Sequence, residues 1–492
     1  MQEFPGAAVV ASTFDDFLPF LEAAAPSLPV ITTEIGDTWI HGAASDPQKL
    51  AFTRAAGIAR AACLRPGGGC IAGDAALANA TRFLLKNVEH TFGRDIKTFL
   101  HDENHWKNVE LQAQLAAGAS NFITTRNSWQ EQRDFGITYA LAALPPGHPF
   151  AGPLAAAWSS VRPPPAQPDP VALGFTLAAL GTALPAGASA TLTFDSVTGS
   201  ISLARVVLGG GQVATWGDGS ATSVIGGLFE YHTYSAANYT DFINGYYCCS
   251  GTPPDWFLLD FGKPNVSEAS PVAMRLASSE PALWQRADAD GSAHFLLRTA
   301  VGGGSNGDAH ILYGAPDTIW TAIDVPAAPS SSGVLVINVS VVLYNKTATR
   351  LPETAFVRFH EPDASAAWAV DKLGERVLPT DVQPGGNQHM HGIGAGIAVN
   401  KAGCGSGRCT LNVHSTEAGL AVFGVSVVHA TRRVRRTRST RTYNATLPIL
   451  QAPTGFPTPT RSAPDMTQGT SLLLFDNIWA TNYPQVCIEL PW

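Results

Sequence analysis

The chain has 492 residues, 45% hydrophobic and only 14% charged, with 47 Gly, 35 Pro and a net charge of −8. That length supports two to four domains, and the Gly and Pro content points to a turn-rich, β-rich body. The acidic balance gives no attraction for nucleic acid or an anionic membrane surface, and no apolar run is long enough to span a bilayer.

In chain order, "AAVVAS" (7–12) reads as a buried-type strand, "TFDDFLPFLEAAA" (13–25) as a helix with acidic residues in its first turn, and "PVITT" (29–33) as a second strand. Strand, helix, strand with short links predicts a βαβ unit of a parallel sheet, although two strands alone cannot bury the faces of such a sheet. "SDPQKLAFTRAAGIARAACL" predicts a helix with Asp46 as N-cap and Pro47 at its first position. Further helical stretches at 73–88, 103–118 and 127–143 complete a small bundle, and residues 145–170 form a Pro-rich boundary. From residue 171 the period changes to two, and segments such as "ATLTFDSVTGSISLARV", "GVLVINVSVVLYN" and "LAVFGVSVVHA" predict a large antiparallel sandwich region with no long helix.

Asn-X-Ser/Thr acceptors stand at Asn79, Asn238, Asn265, Asn338, Asn345 and Asn444. They predict a secreted glycoprotein, although the N-terminus carries no signal peptide. Of the seven cysteines, Cys63 with Cys70 and Cys404 with Cys409 flank Gly-rich loops that a disulfide could close, which fits an oxidising compartment. Cys487 is the candidate for the unpaired thiol. The six arginines of "RRVRRTRSTR" (432–441) fit a solvated loop or a processing site for a basic-specific protease.

Four constellations could carry chemistry. Glu34, Asp37, Trp39 and His41 crowd the end of the second predicted strand. Parallel-strand enzymes place their sites at such ends, so these residues could bind sugar hydroxyls, stack on a ring or act as acid and base. Equally, they could cap local backbone and pack the core. "VEHTFGRDIKTFLHDENHW" (88–106) is dense in potential metal ligands, His90, His101 and His105 among them, without HExxH spacing. "SWQEQRDFGITY" (128–139) offers Trp129, Arg133 and Tyr139, which fit packing and a salt bridge of a helix. "FEYHTYSAANYTDF", "DWFLLDFGKPN", "VQPGGNQHMHG" and "FDNIWATNYP" hold aromatic, Asn, His and Asp residues, with Asn477, Trp479 and Asn482 as candidates for a carbohydrate surface.

The strings "EIGDTWIHG…SDPQK", "EHTFGRDIKTFLHD", "SWQEQRDF", "FDSVTGSI", "FEYHTYSAANY", "WFLLDFGKPN", "LPETAFVRFHEPD", "VDKLGERVLPTDVQPGGNQHMHG" and "DNIWATNYP" together resemble the family catalogued as domain of unknown function 5054. That family is similar, distantly, to glycoside hydrolase family 38, the zinc-dependent retaining α-mannosidases. The resemblance implies a mixed α/β plus β architecture: the C-terminal part of a (β/α)7 barrel in residues 1–45, a helical bundle in 46–144, a linker in 145–170 and a galactose-mutarotase-like β-supersandwich in 171–492. It also implies that Gly36, Asp37 and Trp39 follow the last barrel strand, that Trp39 lines the sugar pocket, and that His90 is a zinc ligand, with Phe92 where the relatives carry Trp. The remaining zinc ligands and both catalytic carboxylates of a retaining glycosidase would lie upstream of residue 1. The expectation is therefore a glycosidase fragment with little or no catalysis, weak zinc binding and a carbohydrate partner. A non-enzymatic carbohydrate-binding protein and a polysaccharide lyase are the rival readings.

Overall fold

A computed structural model describes residues 6, 8, 10–35, 46–89, 93–162, 166–207, 211, 213–246, 252–301, 307–329, 335–372, 375–383, 386, 388–393, 396–404, 407–416, 419–428, 449–451 and 464–478. The N-terminal third is helical: α1 (Phe14–Ala24), α2 (Pro47–Leu64), α3 (Ala75–Asn87), α4 (Ile96–Phe99), α5 (Asn108–Ala116), α6 (Ser120–Asp134), α7 (Ala140–Ala142) and α8 (Ala151–Val161). Residues 135–139 join α6 to α7 as a π-helical turn. None of these helices, and none elsewhere among the described residues, is long and apolar enough to cross a membrane.

The caps explain where the first helices begin. Thr13 and Asp16 form a reciprocal capping box on α1, and Asp46 caps α2 ahead of Pro47, as the sequence predicts. Helix α1 buries none of its residues. The segments flanking it differ from the predicted strands. Val10 and Val30 are 80% and 87% exposed, and Glu34 makes a single parallel bridge to Val382 in place of a sheet. An isolated pair of short parallel strands has no second layer to cover either face, so period and composition alone do not hold it in register. The Pro-rich boundary likewise contains a helix, α8, whose Trp158 packs edge-on against Phe52 of α2 at 5.3 Å.

Beyond residue 171 the chain is mostly antiparallel. The strands are β1 (Thr176–Leu177), β2 (Ala183–Pro185), β3 (Ala190–Phe194), β4 (Ile201–Val207), β5 (Val213–Gly217), β6 (Val224–Thr233), β7 (Met274–Ala287), β8 (Ala293–Val301), β9 (Thr318–Val325), β10 (Leu335–Tyr344), β11 (Glu353–His360), β12 (Ala367–Lys372), β13 (Glu375–Val377), β14 (Met390–Gly392), β15 (Gly396–Cys404), β16 (Gly407–Thr416), β17 (Gly419–Val428), β18 (Ile449–Gln451) and β19 (Thr470–Asn477). Fourteen of them run in one continuous ladder, β13-β12-β15-β16-β17-β10-β9-β8-β7-β6-β11-β19-β18-β14, with β1 on β7, while β2-β3-β4-β5 form a separate small sheet. The main core lies between them, filled by side chains such as Phe194, Trp216, Tyr231 and Phe295. Among the described residues three α-helices interrupt this region: α9 (Ala236–Tyr246), α10 (Asp255–Phe261) and α11 (Gly307–Tyr313). The longest, α9, has 11 residues, about three turns.

A buried interlock joins the helical and β parts. Arg350, 1% exposed, reaches out of the β region into the loop after α4. Its guanidinium donates to Asp102 Oδ1 (2.6 Å), to the Asp102 carbonyl (2.6 Å) and to the His105 carbonyl (2.9 Å), and stacks 4.3 Å from the Trp106 ring. The Trp106 indole N–H donates in turn to the carbonyls of Glu103 and Pro264. Buried Lys263 donates to the Arg350 carbonyl and to Asn477 Oδ1, both at 3.0 Å.

Cys63 and Cys70 are bonded, as expected from the loop they flank. Gly68 fits inside this loop because a Cβ there would lie 2.3 Å from the Ala62 carbonyl oxygen. Cys404 and Cys409 lie in strands whose side chains are outside the described residues at those positions; the β15–β16 register places Cys404 opposite Gly407 and Cys409 opposite Lys401. Replacing both Cys63 and Cys70 by Ser is expected to lower unfolding stability by about 2–3 kcal/mol, the chain-entropy value for so short a loop. Denaturant titration with and without reductant checks this, and equal midpoints in both states would remove the bond from the stability of α2.

Candidate functional site

Described residues of three of the sequence motifs meet in the helical region. Asp46, fully buried, closes the N-terminus of α2 by accepting from the Lys49 backbone N–H (3.1 Å). Its other carboxylate oxygen takes the Arg133 Nε of α6 at 2.5 Å. Lys49 is 2% exposed. Burial pushes its ammonium down to about 8, with Asp46 and Glu89 pulling it back up and Arg133 adding to the depression. Two further helix positions tie in: Thr53 donates to the Lys49 carbonyl, and Asn87, at the end of α3, donates to Thr53 Oγ1 (2.8 Å each).

The loop after α3 is held by α6. Gln132 Oε1 accepts from the Gly93 N–H at 2.7 Å, and its amide nitrogen donates to the Glu89 carbonyl at 3.3 Å. Ser128 Oγ accepts from the Arg94 N–H at 3.0 Å. Gly93 sits at φ +81°, and a Cβ there would lie 2.5 Å from Trp129 Cδ1, so both its conformation and its closeness require glycine. Directly after Arg133 the helix widens into its π turn, where Gly136 lets Phe52 and Asn87 approach to within 3 Å of where a Cβ would stand. Such turns are concentrated at functional sites.

Of the predicted residues, Asp37, Trp39, His41, His90, Trp479 and Asn482 lie outside the described residues. Asp37, Trp39 and His41 lie five to nine residues before Asp46 in the chain, and His90 directly follows Glu89. Glu34 goes elsewhere. Its backbone exchanges hydrogen bonds with Asp381 and Gln383, and its carboxylate stands 3.5 Å from Lys372. The opening stretch therefore touches the "TDVQPGG" loop of the β region. Asn477 is buried and holds the interlock, donating to the carbonyls of Thr349 and Leu351. His105 pairs with Asp102 at 2.6 Å, also in the interlock. The tyrosines of "FEYHTYSAANY" are core residues: Tyr231 donates to Glu353 and Tyr239 to the Ile478 carbonyl. In the same motif Glu230 pairs with Arg275 (2.9 Å) and His232 (3.1 Å).

Sequence reasoning missed Lys49, Asn87 and Gln132. Lys49 and Gln132 stood inside the quoted strings and Asn87 one residue before one of them, but only the fold brings these positions of three helices near one another. Among the described residues no three His, Cys, Asp or Glu side chains come together as a metal site. The chemistry of the described donor set, a buried carboxylate already ion-paired to arginine, does not suit zinc, so no step below runs through a metal.

The family described as Domain of unknown function (DUF5054) matches residues 43–331 of the 492. The chain belongs to this family. The DUF5054 match covers every element of the Asp46–Arg133 cluster, and it ends between β9 and β10, which pair over seven register positions. The sheet thus continues beyond the DUF5054 segment, as do the Arg350 and Asn477 halves of the interlock. No curated protein and no solved structure matches the chain.

Proposed function

We propose that this DUF5054 chain is α-mannosidase-like and carbohydrate-binding, with a sugar site built around the Asp46–Arg133 cluster. One observation supports the reading: Asp46, which follows the stretch of Asp37, Trp39 and His41 in the chain, and Glu89 and Gly93, on either side of the stretch with His90, are held by the adjacent residues Arg133 and Gln132 of α6. Carboxylate, indole and imidazole side chains suit a ligand of hydroxyls and apolar ring faces. In this reading Trp39 stacks on the sugar, Asp37 and His41 accept or donate to its hydroxyls, and His90 belongs to the zinc set of an intact α-mannosidase relative. The two carboxylates of a retaining reaction, about 5 Å apart, are assigned to none of the described residues, so binding is proposed here and hydrolysis is not.

A secretory home is part of the same proposal. It is supported by the Cys63–Cys70 bond and by Asn79, Asn265, Asn338 and Asn345, which present exposed acceptor side chains, with Asn238 half-buried.

The test is direct. The purified chain is expected to be retained on immobilised α-mannoside, to take up zinc no better than weakly, and to leave an aryl α-mannoside uncleaved. Passage through mannoside, glucoside and galactoside columns alike would remove the carbohydrate reading. Stoichiometric, chelator-resistant zinc with hydrolysis would show a complete catalytic site in this chain.

A further inference from the structure

The string "FDSVTGSI" (194–201) has no part in the cluster at Asp46. It forms the turn from β3 into β4 of the small sheet, and its tip lies on the large one. Asp195 closes the turn by accepting from the Val197 and Thr198 N–H groups and from the Thr198 hydroxyl. The Ser278 hydroxyl of β7 donates to the Thr198 carbonyl at 3.0 Å, and a Cβ on Gly199 would lie within 3.0 Å of Leu297 and Pro281. Beneath this turn two ladders are irregular. Ser279 pairs with Ala300 and Ala282 with Arg298, three steps along β7 against two along β8, and Glu280 between them takes φ +53°. Leu228 pairs with Arg358 and Val224 with His360, four steps along β6 against two along β11, across Gly226 and Gly227. Bulges of this kind leave residues out of the ladder and bend the strand.

A cavity opens here, lined by the hydroxyls of Thr198, Ser200, Ser278, Thr299 and Thr321 and walled in part by Phe229. Thr299 and Thr321 stand where the alternation of β8 and β9 calls for apolar side chains: Leu297, Val301, Ile319 and Ile323, two residues away on either side, all belong to the main core. Thr299 is 4% exposed, and among the described residues its hydroxyl bonds to no other side chain or carbonyl. An inward hydroxyl at a core position costs free energy until a hydrogen bond answers it. Donating to Thr198 uses the one proton of the Ser278 hydroxyl and leaves its lone pairs for an incoming donor. The centre of a water molecule has about 20 Å³ in this cavity, and roughly 10–15 Å³ suffices for one molecule. That is too small for a sugar, and no charged side chain lines the cavity to draw an ion.

We propose that this cavity is a hydration site for one ordered water, which accepts from the Thr299 hydroxyl, donates to Ser278 Oγ, and so ties the turn of the small sheet to the bulges of the large one. The proposal is independent of the sugar reading.

A high-resolution crystal structure of the full chain tests it. The wild type is expected to show one water within about 2.5–3.0 Å of both Ser278 Oγ and Thr299 Oγ1, the ordinary range for O–H···O bonds. Thr299→Val nearly keeps the shape of the side chain and removes its hydroxyl, so the water density should be lost. Oxygen-17 relaxation dispersion reads the same event in solution, and the number of long-lived waters should fall by one from wild type to variant. The wild-type density decides the matter even where the variant does not fold. A dry cavity, a Thr299 hydroxyl bonded directly to Thr198 or Ser200 with no water between, or a cation with about six oxygen ligands at the site each overturns the proposal. So does a water that persists unchanged in Thr299→Val, because the hydroxyl then does not hold it.

Discussion

Arg350→Ala is expected to lower the unfolding free energy by about 3–5 kcal/mol, the range for breaking a buried charge pair by removing one partner. The residue is 1% exposed, and the Asp102 carboxylate it contacts is 11% exposed, so deletion strands a carboxylate where water reaches it poorly. It also strips the cation from the Trp106 face and leaves the carbonyls of Asp102 and His105 without their donor. Arg350→Lys is expected to recover little, because a single ammonium nitrogen cannot span the acceptors that Nη1 and Nη2 reach separately, nor lay a planar cation on the Trp106 ring. An acid titration gives the second readout. Burial by itself would raise the Asp102 pKa, but hydrogen bonds from His105 and Arg350 and the Arg350 charge outweigh it and hold the group at about 2. A carboxyl depressed in the folded state stabilises fully above its unfolded value near 3.8 and loses that contribution as pH falls toward 2. The wild type should therefore weaken across that interval, and Arg350→Ala should show a flatter acid limb. A loss below about 1 kcal/mol, the value of an exposed pair, would mean that the two parts of the molecule do not depend on the interlock.

The second large effect belongs to Asp46. Asp46→Ala removes both the cap of α2, worth about 1 kcal/mol, and the partner of Arg133, whose loss costs several more because the guanidinium stays largely buried. A total of about 3–4 kcal/mol is expected by denaturant unfolding. Asp46→Asn separates the two contributions. Its amide oxygen still accepts from the Lys49 N–H, so the cap survives and the remaining loss reads the ion pair alone. Equal losses for Ala and Asn would assign the whole effect to charge, and an Asn variant as stable as wild type would make Asp46 a cap and nothing more. Under the proposed function the Asn variant should also bind α-mannoside less well, since the entry to α2 is then held by one bond in place of two.

How much was legible in the sequence follows from the range of the interactions involved. The start of α2 was, because a cap is local: Asp46, Pro47 and the Lys49 amide lie within four residues of one another. The Cys63–Cys70 bond was readable for the same reason, as was the antiparallel region, where alternation along each strand records which face is buried. Membership of the DUF5054 family was readable because its motif strings are long. The two flanking strands were not, since a short apolar run becomes a strand only when another layer covers it, and here Val10 and Val30 face solvent. Helix α9 was hidden by tyrosines that suit either state until Tyr239 finds the Ile478 carbonyl 239 residues away.

The sequence by itself determined the local elements and nominated the polar residues. Only the tertiary structure decided which of them share a place. It docked Glu34 on the loop at Asp381–Gln383, and it placed Asn477 and His105 in an interlock. It also brought Lys49 and Arg133 to Asp46, and Gln132 to Glu89 and Gly93. The physical reason is that a buried charge is tolerated only where an opposite charge or a hydrogen-bonding group meets it. For Asp46 that partner stands 87 residues along the chain, and for Asp102 it stands 248 residues along. No pattern within a window of sequence encodes such a pairing; the approach of the end of α6 to the start of α2, and of the helical part to the β region, supplies it.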